Sequence, residues 1–159
     1  MKLIKVLLAF SVAGLAGLYG IQNLVNLESA HGFVALVFSQ QGHDLYPASL
    51  IPPITAPTIT WAVLFVIIGG ELLAAVLALL GGVRMLTAPA GSEAFAKAKQ
   101  TAMLGAGIGV LVWFGLFAVI GGAGIQMWQT PAGANALAGA FQYSVLCFLT
   151  LIFLAGRDD

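Results

Sequence analysis

Residues 59–83 read ITWAVLFVIIGGELLAAVLALLGGV, an apolar run interrupted by one ionisable side chain, Glu71. At roughly 1.5 Å per helical residue, such a run crosses a hydrocarbon core of ~30 Å. Pro47, Pro52, Pro53 and Pro57 stand ahead of it. Proline removes a helix hydrogen bond and biases its predecessor towards extended backbone, so this helix is expected to begin no earlier than about position 58. Three more runs of spanning length follow the same pattern, at 3–22, 101–122 and 137–155. The composition agrees: of 159 residues, 60% are hydrophobic and only 8% charged, where a soluble domain carries about 25% charged residues. The reading is an all-α, integral membrane four-helix bundle forming a single domain over residues 1–159.

Lys2 and Lys5 ahead of the first run resemble the charged start of a signal peptide. The apolar stretch behind them is longer than a signal core and lacks an Ala-x-Ala cleavage site, so it reads as a retained span. The segment between the first two spans carries Asn23, Asn26, Glu28, His31, Gln40, Gln41, His43 and Asp44 around an apolar stretch at 33–38. That stretch is too short to span, and a short surface helix is expected there, with Phe33 and Val37 towards the bilayer or the bundle.

All six basic residues (Lys2, Lys5, Arg84, Lys97, Lys99 and Arg157) fall at the termini or between the second and third spans, while 23–58 and 123–136 have none. The positive-inside bias therefore predicts both termini in the cytoplasm and the long loop between helices 1 and 2 in the periplasm of a bacterial inner membrane. Ser92, followed by Glu93, has the type and place of a helix N-cap. Trp61 and Trp128 are expected at the far interface, where indole rings favour the headgroup zone.

Small residues recur at four-residue spacing: Ala9, Ala13 and Gly17; Gly70, Ala74 and Ala78; Gly105 and Gly109. Such rows let helix backbones approach closely in lipid, where the hydrophobic drive is absent, and packing within the chain or a dimer seam would each use them. Glu71 is the one carboxylic acid inside a span. A charge there is expensive, so it is expected to face the bundle or a cavity, protonated or hydrogen-bonded. Counting depth from the helix ends puts Ser11, Trp113, Ser144 and Cys147 near its level, with the Trp113 indole N–H as a donor and Ser11 or Ser144 completing an intramembrane polar cluster. Such a group can lock packing, relay a proton or cation, or hold a lipid or quinone headgroup.

His31 and His43 lie outside the spans, so a bis-histidine haem between packed helices is not expected. Neither a cofactor nor a metal is expected, since Cys147 is the sole cysteine and no ligand spacing occurs. No nucleophile has a base at working distance in sequence, no catalytic residues are assigned, and the chain is not expected to be an enzyme. Zero net charge and the absence of a basic cluster argue against a nucleic-acid partner.

Several of these residues resemble an uncharacterised family of bacterial predicted small integral membrane proteins, a domain of unknown function. The likeness covers nearly the whole chain and rests on Asn23-Leu24, Phe33-Val34, Trp61, Gly70-Glu71-Leu72-Leu73, Trp113-Phe114, Val119-Ile120-Gly121-Gly122 and Met127-Trp128-Gln129. It implies four spans and a bacterial inner membrane, and no activity. The chain departs from it at Ala123-Gly124, where relatives carry an acidic-aromatic pair, and at Gln142, where they carry Arg. The first expectation for function is a non-catalytic accessory or assembly subunit of a larger inner-membrane complex, respiratory or otherwise energy-converting. The alternative is a small transporter or proton-conducting protein using Glu71. Expected partners are the lipid bilayer and other membrane subunits or the chain itself.

Overall fold

The structure, a computed structural model, describes residues 1–158. Five helices succeed one another: α1 (Lys2–Val25), α2 (Leu27–Ser39), α3 (Pro57–Thr87), α4 (Glu93–Val110) and α5 (Pro131–Ala155). Beyond Val110, α4 continues without a break as a π-helical segment over Leu111–Gly124. No strand occurs among the described residues. Four of these rods are long and apolar enough to cross a membrane: α1, α3, α4 with its π-helical extension, and α5. The chain is a four-span bundle.

Each rod outruns its hydropathy peak. Hydropathy marks only the turns that can enter lipid, whereas capped polar turns continue the helix into water. The third span accordingly starts at Glu93 rather than near 101, because Ser92 Oγ accepts the Phe95 N–H at 3.1 Å. The fourth starts at Pro131 rather than 137, with Thr130 Oγ1 accepting the Gly133 N–H at 3.1 Å and proline in the first turn. The turn before α4 passes through Gly91 at φ 74°, a left-handed conformation that suits glycine.

α1 and α3 run antiparallel in one steady register. The Gly20 Cα faces Leu72 and Glu71, Gly17 faces Ala75, and Gly82 lies against the Phe10 ring. Lys2 Nζ then reaches the Leu86 and Ala88 carbonyls at 2.9 and 2.6 Å. The register carries on through the break at Asn26 into α2, where His31 meets Thr60 and the Ile54 N–H bonds the Phe38 carbonyl at 2.8 Å. The helix expected over 33–38 is therefore longer, Leu27–Ser39, and runs alongside the outer turns of α3 with Val34 and Val37 buried. A kinked α1–α2 rod thus accompanies α3 along its length.

That continuity corrects one placement. Counting from helix ends put Ser11 level with Glu71, but Glu71 is level with Gly20, nine residues or about 14 Å further along α1. The midpoints do not pair, because the N-terminal turns of α3 lie beside α2. Ser11 is exposed and donates to the Leu7 carbonyl of its own turn.

The small-residue rows are used inside the chain. A Cβ on Gly105 would stand 2.5 Å from Ala78 N and 2.7 Å from Ala74 O, so α3 and α4 touch backbone to backbone. Gly81 abuts the Ala102 backbone in the same seam, Gly70 faces Val112, and Gly109 faces Cys147 Sγ. Ala9 and Ala13 are buried in the two main clusters of the core.

Both termini gather at one end of the bundle. Lys5 is only 2% exposed, and its amine donates to the Gly156 and Arg157 carbonyls and to Asp158 Oδ1. Lys99 reaches the other Asp158 oxygen at 2.8 Å. The hydrogen bonds from Lys5 and Lys99 hold the Asp158 carboxyl below its usual range.

Candidate functional site

Glu71 is 2% exposed, on the α3 face turned towards α1. Asn23, on the last turn of α1, donates its Nδ2 hydrogen to Glu71 Oε2 at 2.9 Å. Among the described residues this is the one side-chain donor that reaches the carboxyl. Glu71 also lines a cavity of about 370 Å³, partly open to the surroundings, between α1, α2, α3, the π-helical segment and α5. Tyr19, Trp113, Tyr143 and Asn135 supply the rest of its polar lining. The Tyr143 ring stands 4.6 Å from that of Tyr19 and 5.2 Å from that of Trp113, tilted to both, so the three form a continuous aromatic wall. Tyr19 is 40% exposed, and the wall opens outward at that edge.

A second cavity of about 420 Å³ adjoins the first, sharing Phe33, Val34, Ile67 and Phe117 with it. Val37, Val66 and Ile120 extend its lining, and Thr58 is its one residue with a polar side chain. Both volumes lie within the range of small-molecule pockets, and the pairing of an apolar groove with a few convergent polar groups is the usual composition of such sites. The π-helical segment builds one wall of each. Its i→i+5 bonding ends with the Ile125 N–H on the Ile120 carbonyl at 2.8 Å. Trp113, Leu116, Phe117, Ile120 and Gly121 of this segment face the cavities. π-Helical bonding is rare and occurs frequently at functional sites.

Of the cluster expected around Glu71, the structure brings Trp113 into the cavity, but not as a donor to the carboxyl. Its ring packs against Tyr143 and under Gly109. Ser144 is buried at the same level and donates to the Phe141 carbonyl of its own helix at 2.9 Å, the local bond that helical serines commonly make. Cys147 is buried beneath Gly109. Asn23, Tyr19 and Tyr143 are the members that reading the sequence missed. The α1–α3 register identifies Asn23, and periodicity from Trp113 across to α5 would have found Tyr143.

Trp61 stacks on His31 with centroids 3.9 Å apart and planes 4° apart, and His31 Nε2 bonds Thr60 Oγ1 at 2.8 Å. Trp128 meets Tyr46 edge-on at 5.4 Å. His43 lies in the turn after α2, its backbone N–H on the Gln40 carbonyl at 3.2 Å, and among the described residues no three His, Cys, Asp or Glu side chains converge as metal ligands.

A family model described as predicted small integral membrane protein (DUF2165) matches residues 1–157. Among curated proteins and among solved structures, nothing matches the chain.

Proposed function

The chain belongs to this family of small integral membrane proteins, and from that footing we propose that it is a small membrane carrier or conducting protein whose working group is Glu71. The observation that carries the reading is the cavity. An acid that served only to lock helices would have its oxygens filled by neighbours, whereas this carboxyl has one side-chain donor and its residue lines a cavity beside three aromatic rings. An ionisable group inside a span is costly to keep and usually marks a pathway. The role assigned is binding and passage, with no covalent step.

The membrane proposed is the bacterial inner membrane, with both termini cytoplasmic. This is supported by the six basic residues, which cluster at the end of the bundle that holds both chain ends.

Proteoliposomes holding the chain purified alone are expected to pass protons down a gradient, read by an internal pH dye. Glu71→Gln should bring that flux to the level of protein-free vesicles. Unchanged flux in the variant, or none with the native chain, defeats the proposal.

The accessory-subunit reading keeps the support of one feature. In the segment between α2 and α3, Leu45 and Leu50 project from the bundle, at 72% and 92% exposure, and exposed apolar side chains in a loop suit a protein contact. Stoichiometric partners retained through mild detergent extraction, together with silent proteoliposomes, would move the assignment there.

A further inference from the structure

We propose that the Glu71 cavity and the adjoining apolar groove form one binding site for a hydrophobic organic cation, its charge held between Glu71 and the Tyr19–Tyr143–Trp113 wall and its apolar body lying in the groove. The proposal rests on the carrier reading only for release and passage after binding, because the site itself is argued from geometry.

The sign of the ligand is set by the groups around the carboxyl. From α1 the cavity receives Tyr19 and Asn23, from α2 Ala30, Phe33 and Val34, from the π-helical segment Trp113 and Phe117, and from α5 Asn135 and Tyr143. Glu71 and the two tyrosines are the titratable groups among them, and among the described residues no basic side chain lines the cavity. The nearest basic residue along α3, Arg84, lies thirteen residues away, about 20 Å. An anionic headgroup such as a phosphate would enter beside an acid with no positive partner, which low-dielectric surroundings penalise heavily. A cation meets the opposite field. It pairs with the carboxylate and finds ring faces whose quadrupoles attract positive charge.

The shape of the ligand is set by the second cavity. Phe33, Val34, Ile67 and Phe117 line both cavities, so the groove lies directly beside the polar chamber with these side chains at the boundary. Thr58 is its one polar residue, so a strongly hydrated ammonium or metal ion would leave that space unfilled. A ligand with an apolar body fills both.

Tetraphenylphosphonium is the probe, and tetraphenylborate, nearly the same in size and opposite in charge, is its control. In a Trp61→Phe, Trp128→Phe background, Trp113 becomes the single indole and its fluorescence reports on the cavity. Saturable quenching by tetraphenylphosphonium is expected, with none by tetraphenylborate. Glu71→Gln should weaken binding by at least about thirtyfold, the scale of removing one member of a desolvated charge pair. Tyr143→Leu should weaken it by about threefold to thirtyfold through the lost ring face. Binding should also weaken as pH falls, because a proton competes with the cation for the same carboxylate.

An unchanged melting profile of Glu71→Gln shows that the loss is local, and Glu71→Asp should retain part of the affinity. Equal binding of the borate, or an unaltered constant in Glu71→Gln, overturns the proposal by showing mere partition into an apolar groove. Binding without flux in the vesicle assay would leave the site standing and remove the carrier reading. Flux without binding would do the reverse.

Discussion

Replacing Gly105 with leucine is expected to abolish the folded protein, whereas the same replacement at Gly69 leaves it intact. The first carbon added at position 105 would stand 2.5 Å from Ala78 N and 2.7 Å from Ala74 O. Those are main-chain atoms held by the hydrogen bonds of α3, so no rotamer change can relieve the clash, and α3 and α4 must separate. Gly81, which abuts the Ala102 backbone, and Gly70, which faces Val112, would be pulled out of register in the same seam. Overpacking a core costs about 1–3 kcal/mol even where side chains can give way, and here they cannot. In lipid, the close approach of small residues is itself a main source of helix association. Gly69 has nothing within 4 Å of an added Cβ and provides the matched control. The measurement is the fraction of monodisperse protein after detergent extraction, expected to fall at least tenfold for Gly105→Leu and to stay near the native value for Gly69→Leu. Similar yields for both variants would mean that α3 and α4 do not touch as described.

The second large effect is expected at Lys5. Its amine is surrounded by the Gly156 and Arg157 carbonyls and the Asp158 carboxylate, in a pocket that leaves the side chain almost no exposure. Lys5→Glu would place a second carboxylate against Asp158 and turn three acceptors towards an acceptor. Breaking a fully buried pair in this way costs about 3–5 kcal/mol, and this one, with Asp158 21% exposed, should cost somewhat less. Lys5→Met, which keeps the stem and drops the charge, should cost far less, since apolar replacement of a buried ion pair is often close to neutral. It should nevertheless free the last residues, read as faster trimming by a carboxypeptidase.

Acid should act on the native chain in the same direction. Asp158 has its carboxyl held below the usual range by Lys5 and Lys99. Its contribution is therefore complete above the ordinary aspartate range and fades as pH drops through the lowered value in the folded state. Trimming of the native tail should accelerate in that acid window. Under the same conditions Lys5→Glu should partly recover as its carboxyls take up protons. If Lys5→Glu melts like the native protein, the tail is not docked.

Much of the architecture could be read in the sequence, and particular residues show where reading stopped. The spans announce themselves because apolar runs of spanning length have no other use, and Glu71 stands out because an acid inside one is expensive. The continuity of α1 and α2 was hidden by Asn26, Glu28 and His31, which read as a loop but lie on a helix that keeps its register against α3. Asn23 was hidden with them, since a residue at the end of a span is ordinarily assigned to the headgroup zone. The π-helical segment over Leu111–Gly124 has the composition of any lipid-exposed helix, so nothing in its residue types marks the altered hydrogen bonding. Lys5 reads as one of the basic residues that set the orientation, because a first-turn lysine normally extends into water.

The place of Glu71 along α3 has an electrical meaning. Fourteen positions separate it from Pro57 and sixteen from Thr87, so with α3 centred in the bilayer a charge resting on it would sit about midway through the voltage drop. A full crossing is worth ~2.3 kcal/mol per unit charge per 100 mV, and half of that, ~1.2 kcal/mol, is roughly an eightfold change in occupancy. Anything positive that loads this position does so with the resting voltage when it enters from one compartment and against it when it enters from the other.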